Sequence, residues 1–210
     1  MDIEAIRDGK LRHLPGCDLE DEDLSSLDLS NFQLAGAHLV GTNFSHCNLA
    51  RAHLEGANLM GAKLIGVDLR ANLWGANLMQ SDLSGADLRG ANLRGVNLMG
   101  AKLAGAVLSG AFLNGANLMG VNLQGVDLSG ADLRGANLSN TNLHGANLYG
   151  AEMRGTLLND ANLEEADLRS ATLTGTSLIG ANLLCADFEG ANLDGINLTG
   201  ACLIGTGLAA

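Results

Sequence analysis

The chain has 210 residues, a formal charge of −11 and a composition that is 47% hydrophobic but only 3% aromatic, with 29 glycines against a single proline. So acidic a chain offers no general phosphate-binding surface, because nucleic-acid affinity rests on Lys and Arg, and no apolar run approaches the roughly 18 residues that a membrane span needs. A core of mixed large side chains is not expected either, so something small and regular has to fill the interior.

Residues 1–16 read as a cap. Asp2 to Leu14 predicts a short helix with Asp2 as its N-cap, Ile3 and Ile6 on one face, and Pro15-Gly16 as its stop. The segment has no apolar stretch of signal-peptide type, and Cys17, Cys47, Cys185 and Cys202 show no short paired spacing of zinc or redox type. Both features point to a reduced, cytoplasmic setting.

From there the chain is periodic. Leucine recurs every fifth residue from Leu19 to Leu69, interrupted only by Phe44, and again from Leu73 to Leu208, interrupted only by Met153 and Phe188, giving 39 consecutive units. Two positions before each leucine stands a small residue, usually alanine, as at Ala76, Ala86, Ala91 and Ala136; Asn or Asp lies between them, and glycine follows two residues after the leucine. A period of five matches neither 3.6 nor 2, so neither a plain helix nor a long strand keeps these leucines on one side. The chain must turn within every unit. A short extended piece points the small residue and the leucine inward and the Asn or Asp outward, and glycine supplies a corner that needs positive φ.

This A(D/N)Lxx pattern, carried from about Cys17 to Leu208, resembles the pentapeptide repeat family. The resemblance implies an all-β fold: a right-handed quadrilateral parallel β-helix with four repeats per coil. Residues 17–210 would then form about ten coils and, at about 4.8 Å per coil, a rod about 47 Å long. Two departures stand out. The spacing from Leu69 to Leu73 is four, a register break that shortens one corner, and Glu22, Leu27 and Phe32 occupy positions that are otherwise small, which predicts an irregular first coil. The chain has no multi-residue loop of the kind that quinolone-resistance members of the family carry.

In that geometry, residues 20 apart stack in columns, or 19 apart across the break. Met60, Met79, Met99 and Met119 align after their leucines and form a candidate partner surface, although internal duplication also accounts for the alignment. Asp28, Asp68, Asp87, Asp127, Asp167 and Asp187 align before theirs as a candidate acidic face. With roughly one net charge per 4 Å of rod, against one per about 1.7 Å in duplex DNA, this face reads as a solvated surface. Ile179, Leu184 and Ile204 lie near the far end at outward positions, where they would dock a second copy as a homodimer; the alternative is that the natural protein continues beyond this chain.

Chemistry is sparse. The recurring Gly-x-x-x-x-Gly is two corners of the repeat and never continues into Lys-Ser or Lys-Thr. His38, His46, His53 and Cys47 are close in sequence, but the column geometry sends them to different faces, a corner and the interior, too dispersed for one metal ion. No cofactor, metal site or catalytic residue is expected. The expected function is a non-catalytic, rod-like scaffold for an unidentified protein partner. The alternative is a DNA-mimicking binder of DNA gyrase or topoisomerase that confers drug protection, as the family resemblance suggests.

Overall fold

The computed structural model describes residues 2–208. Apart from one short helix, α1 (Ile3–Arg7), its regular structure consists of isolated parallel β-bridges. Nearly every bridge joins a residue to the one 20 further along, such as His13 to Gln33, Asp18 to His38, Asp23 to Asn43 and Asp28 to Asn48, and four bridges complete each coil. The chain is therefore a β-helix with four sides. Face 1 carries Leu34, Leu54 and Leu73; face 2, Leu39, Leu59 and Leu78; face 3, Phe44, Leu64 and Leu83; face 4, Leu49, Leu69 and Leu88.

The corner explains why no continuous strand forms. Ala37 N–H donates to Leu34 O at 3.1 Å, and the third residue of that turn, Gly36, has φ +66°. Positive φ at the third position alone is the signature of a type II turn. The same left-handed conformation appears where the corner is not glycine, as at Arg51 (φ 61°), Glu165 (φ 56°) and Cys185 (φ 56°). A chain that turns every five residues has room for one bridge per side.

Hydrogen bonding accounts for the consensus position by position. In the unit Ala57-Asn58-Leu59-Met60-Gly61, Ala57 N–H closes the turn on Leu54 O, and Asn58 N–H donates to Ala37 O in the preceding coil. Leu59 and Gly61 N–H donate to Asn77 O and Met79 O in the next. The fifth donor, Met60 N–H, meets the side chain of Asn58 at Oδ1, 3.3 Å away. Asn or Asp before leucine thus satisfies the one backbone donor that the coil ladder leaves over.

Inside, the leucines, with Phe44 and Met153 in leucine positions, are fully buried through the middle of the rod. Each contributes on the order of 1.5 to 3 kcal/mol by leaving water. Where threonine replaces alanine its hydroxyl is not orphaned: Thr42, Thr156 and Thr176 Oγ1 donate to Leu19 O, Leu133 O and Met153 O at 2.7 to 2.8 Å.

The register break is confined to one corner. Ala71 N–H donates to Leu69 O at 2.8 Å, so a three-residue γ-type turn centred on Arg70 replaces the four-residue one. Bridges from His53 to Asn72 through Asp68 to Asp87 are offset by 19, after which Asn72 to Asn92 restores 20. Leu69 and Leu73 stay buried, so the bore continues unbroken.

At the N-terminus the helix is shorter than the sequence predicts. It ends at Arg7, and His13 already bridges to Gln33, so the first coil begins before Leu14 and claims the residues that would have lengthened the helix. Asp2 caps it, accepting from Ala5 N–H at 3.0 Å. Ile6 is buried, Ile3 and Leu11 pack on the core, and Arg7 donates to Asp23 O. The irregularity expected of the first coil does not reach the backbone, because bridges at Asp18, Asp23 and Asp28 involve main chain only, whatever the size of Glu22, Leu27 and Phe32.

Candidate interaction faces

With the bore filled, the side chains open to solvent lie on the outer walls. On face 2, Val40, Met60, Met79 and Met99 follow one another rung by rung, since Gly41, Gly61 and Gln80 N–H donate to Met60 O, Met79 O and Met99 O. The Asn97 to Asn117 bridge brings Met119 next. Met60 and Met119 are 38% exposed, while Met79 and Met99 are half-buried between them. Beside the methionines runs a row of asparagines, in which Asn77 Nδ2 donates to Asn58 Oδ1 at 3.0 Å. From Ala37 to Gly200, the face-2 units contain no Asp, Glu, Lys or Arg except Asp160 at a corner.

Face 4 has the opposite character. Asp28, Asp68, Asp87, Asp127, Asp167 and Asp187 do share one bridged column, together with Asn48, Val107 and Asn147. Its charge is partly cancelled: Arg70 Nη2 lies 2.6 Å from Asp68 Oδ2, Arg89 Nη2 2.6 Å from Asp87 Oδ2, and Arg169 Nη2 2.8 Å from Asp167 Oδ2. Arg70 and Arg169 also reach the next coil, at Asp87 and Asp187. Side-chain hydrogen bonds from these arginines hold Asp68, Asp87 and Asp167 below the ordinary carboxylate range, and the hydrogen bond from Ser30 does the same for Asp28.

The acidity is concentrated elsewhere. Residues 13–50 contain six Asp and Glu and no Lys or Arg, and residues 155–208 contain seven against Arg169 alone, while 51–154 hold seven acids and eight bases. The rod is acidic toward both ends and neutral in its middle. This segregation can be read directly from the sequence by counting charge in windows; an average over the whole chain hides it.

The candidate end-docking residues lie on two adjacent faces. Ile179 continues the face-2 column, where Asp160 N–H donates to Ile179 O, whereas Leu184 and Ile204 stack on face 3, with Cys185 N–H donating to Ile204 O. Ile204 is 68% exposed, and Leu193, Leu198 and Leu203 of the last described coil are half-buried rather than sealed.

The histidines and Cys47 are dispersed. His38 is exposed on face 2, His46 occupies a corner at φ 60°, and Cys47 is buried with its Sγ donating to Leu24 O, its thiol pushed up to about 11 by burial. His53 Nδ1 lies 3.0 Å from Glu55 Oε1. Among the described residues no group of three or more His, Cys, Asp or Glu could hold a metal ion. A depression of about 340 Å³ on the wall is lined by Ser30, Asn31, Ala50, Arg51 and Arg70.

The profile of pentapeptide repeats matches this chain in eight copies, over residues 37–71, 70–98, 97–135, 122–160, 136–175 and 161–200. Among solved structures, the chain is similar to HetL, a pentapeptide repeat protein involved in heterocyst differentiation regulation from the cyanobacterium Nostoc sp. strain PCC 7120. The identity is 33%, the match covers 96% of this chain and 93% of that one, and the TM-score is 0.84. It also matches a trypsin-treated variant of QnrB1, a plasmid-mediated fluoroquinolone resistance protein, at 24% identity over 90% of this chain and 88% of that one, with a TM-score of 0.42. A pentapeptide repeat protein from the Arabidopsis thaliana thylakoid lumen is 32% identical over 57% of this chain and 70% of that one, with a TM-score of 0.20. No curated protein matches. The family's fold implies that the coil is right-handed, and the profile together with the HetL likeness leads to one conclusion: the chain belongs to the pentapeptide repeat family.

Proposed function

We propose that this protein is a non-catalytic, quadrilateral rod that works by contact, with the methionine and asparagine strip of face 2 as its binding surface for a protein partner. The observation that carries this reading is the near-absence of charge along that face from Ala37 to Gly200, with Asp160 the one exception, in a chain that is 17% charged as a whole. Desolvating an Asp or Lys is expensive, whereas methionines adapt to a partner's contour at little cost. Four free thiols, two of them buried, fit work in a reducing cytoplasm. HetL, similar along nearly its whole length, is involved in regulating differentiation, a role that suits a scaffold. The gyrase alternative is less favoured, because the neutral middle of the rod lacks the continuous acidity of DNA.

The test is affinity capture with three baits: the native protein, a variant with Met60, Met79, Met99 and Met119 changed to serine, and a variant with Asp68, Asp87 and Asp167 changed to asparagine. A partner held by the native and Asp-variant rods and lost with the Met variant supports the reading. A partner indifferent to the methionines overturns it, and inhibition of purified gyrase in a supercoiling assay would advance the alternative.

A further inference from the structure

One pair of outward side chains on face 1 has no counterpart elsewhere on the rod. Glu55 and Trp74 are 19 residues apart in one column of face 1 and lie on adjacent rungs, with Gly56 N–H donating to Trp74 O at 2.9 Å. A shallow crevice of about 280 Å³ between them is lined by Glu55, Gly56, Trp74 and Gly75. Trp74 is the chain's sole tryptophan and is 61% exposed. Asn72 Nδ2 donates to Glu55 Oε1, which also lies 3.0 Å from His53 Nδ1. The other oxygen, Glu55 Oε2, is buried and has no hydrogen-bond donor among the described residues.

A buried carboxylate oxygen without a donor is costly, and the next cation in the column does not relieve it. Arg94 is drawn the other way, its guanidinium 4.8 Å from the Phe112 ring centre and its Nε donating to Asn114 Oδ1 at 3.0 Å. A carboxylate with one oxygen lacking a donor, beside an exposed indole, is a pairing that attracts a cation, by ion pairing on one side and cation–π attraction on the other.

We propose that the Glu55–Trp74 crevice is a docking site for an arginine or lysine side chain of a partner protein. The proposal rests on the reading of the chain as a protein-binding rod, but places an anchor on a different face from the methionine strip. Tryptophan is enriched among residues that dominate binding energy, and a cationic anchor would fix the register of a partner along an otherwise repetitive wall.

Because Trp74 is the sole tryptophan, its fluorescence reports the site. The probe is the blocked tripeptide acetyl-Gly-Arg-Gly-amide, with the same peptide carrying citrulline as its neutral match. The arginine peptide should give a saturable change that citrulline does not, and Glu55→Gln should weaken it by about fivefold or more. Glutamine keeps an oxygen for Asn72 to donate to, and an unchanged melting temperature in Glu55→Gln separates lost recognition from lost structure. Trp74→Leu, followed by titration calorimetry, should lose the binding as well. Equal response to citrulline, indifference to Glu55→Gln, or tighter binding of putrescine than of the peptide would overturn the proposal. The Met60, Met79, Met99 and Met119 variant should bind the peptide normally, so failure of the methionine strip and failure of this crevice are read separately.

Discussion

Faces 2 and 4 are built from the same repeat and differ most in what points outward. On face 2, asparagine precedes leucine and methionine follows it; on face 4, aspartate precedes it and, in three coils, arginine follows. Both Asn58 Oδ1 and Asp87 Oδ1 accept the backbone N–H two residues on, at 3.3 and 3.1 Å, so both residue types support the fold equally. The two side chains part company only beyond the coil, where asparagine leaves a neutral wall and aspartate one that needs arginine. Inward positions fix the rod, and outward positions are free to differentiate its sides.

The largest test of that division is to show that the interior does not distinguish the faces. Leu118→Ala, behind the methionine strip, and Leu128→Ala, behind the acidic column, should each cost about 2 to 5 kcal/mol, because neither coil can collapse into the gap. Chemical denaturation would measure both, and a clear inequality would mean that the faces differ in more than their outer side chains.

Corners give a smaller effect with a built-in contrast. Gly41 on face 2 and Gly90 on face 4 both have positive φ, so alanine at either should cost about 1 to 2 kcal/mol in backbone strain. At Gly41 a new Cβ would also collide with Asp21 Oδ1 in the coil before, whereas at Gly90 it meets nothing within 4 Å. Gly41→Ala should therefore lower the melting temperature further than Gly90→Ala, unless Asp21 swings away and the two become equal.

Acid titration gives the smallest effect and, of these two faces, touches face 4. Asp68, Asp87 and Asp167 have depressed pKa values in the folded rod, so the stability they confer is present above the ordinary carboxylate pKa of about 3.9 and is lost as pH falls through their lower folded values. Changing all three to asparagine should flatten the fall in melting temperature below about pH 4 without altering its slope between about pH 6 and 8. Serine at the four methionines should leave the whole profile unchanged.

Much of the molecule was legible in advance. Fivefold leucine spacing marked the buried positions, including Phe44 and Met153, and glycine marked the corners. The arginine pairing on face 4 was readable from Asp-Leu-Arg at Asp68, Asp87 and Asp167. The extent of α1 was not legible, because Lys10 to Leu14 can continue a helix or join a coil, and pairing of His13 with Gln33, 20 residues away, decided for the coil. Nor was the Glu55–Trp74 crevice, because neither residue is unusual until four units per coil set them on adjacent rungs.

By itself the sequence determined that the chain turns every five residues, that aliphatic side chains face inward, and that glycine or a strained substitute holds each corner, since all three follow from contacts and dihedrals within a single unit. Only the tertiary structure decided that four units close a coil, that Asn or Asp serves the leftover turn donor, that a γ-type turn absorbs the missing residue, and which outward side chains meet. A period of five does not count its own repeats per coil. The partners on the next rung lie 19 or 20 residues away, and bonds across that distance exist only once the backbone ladder has closed.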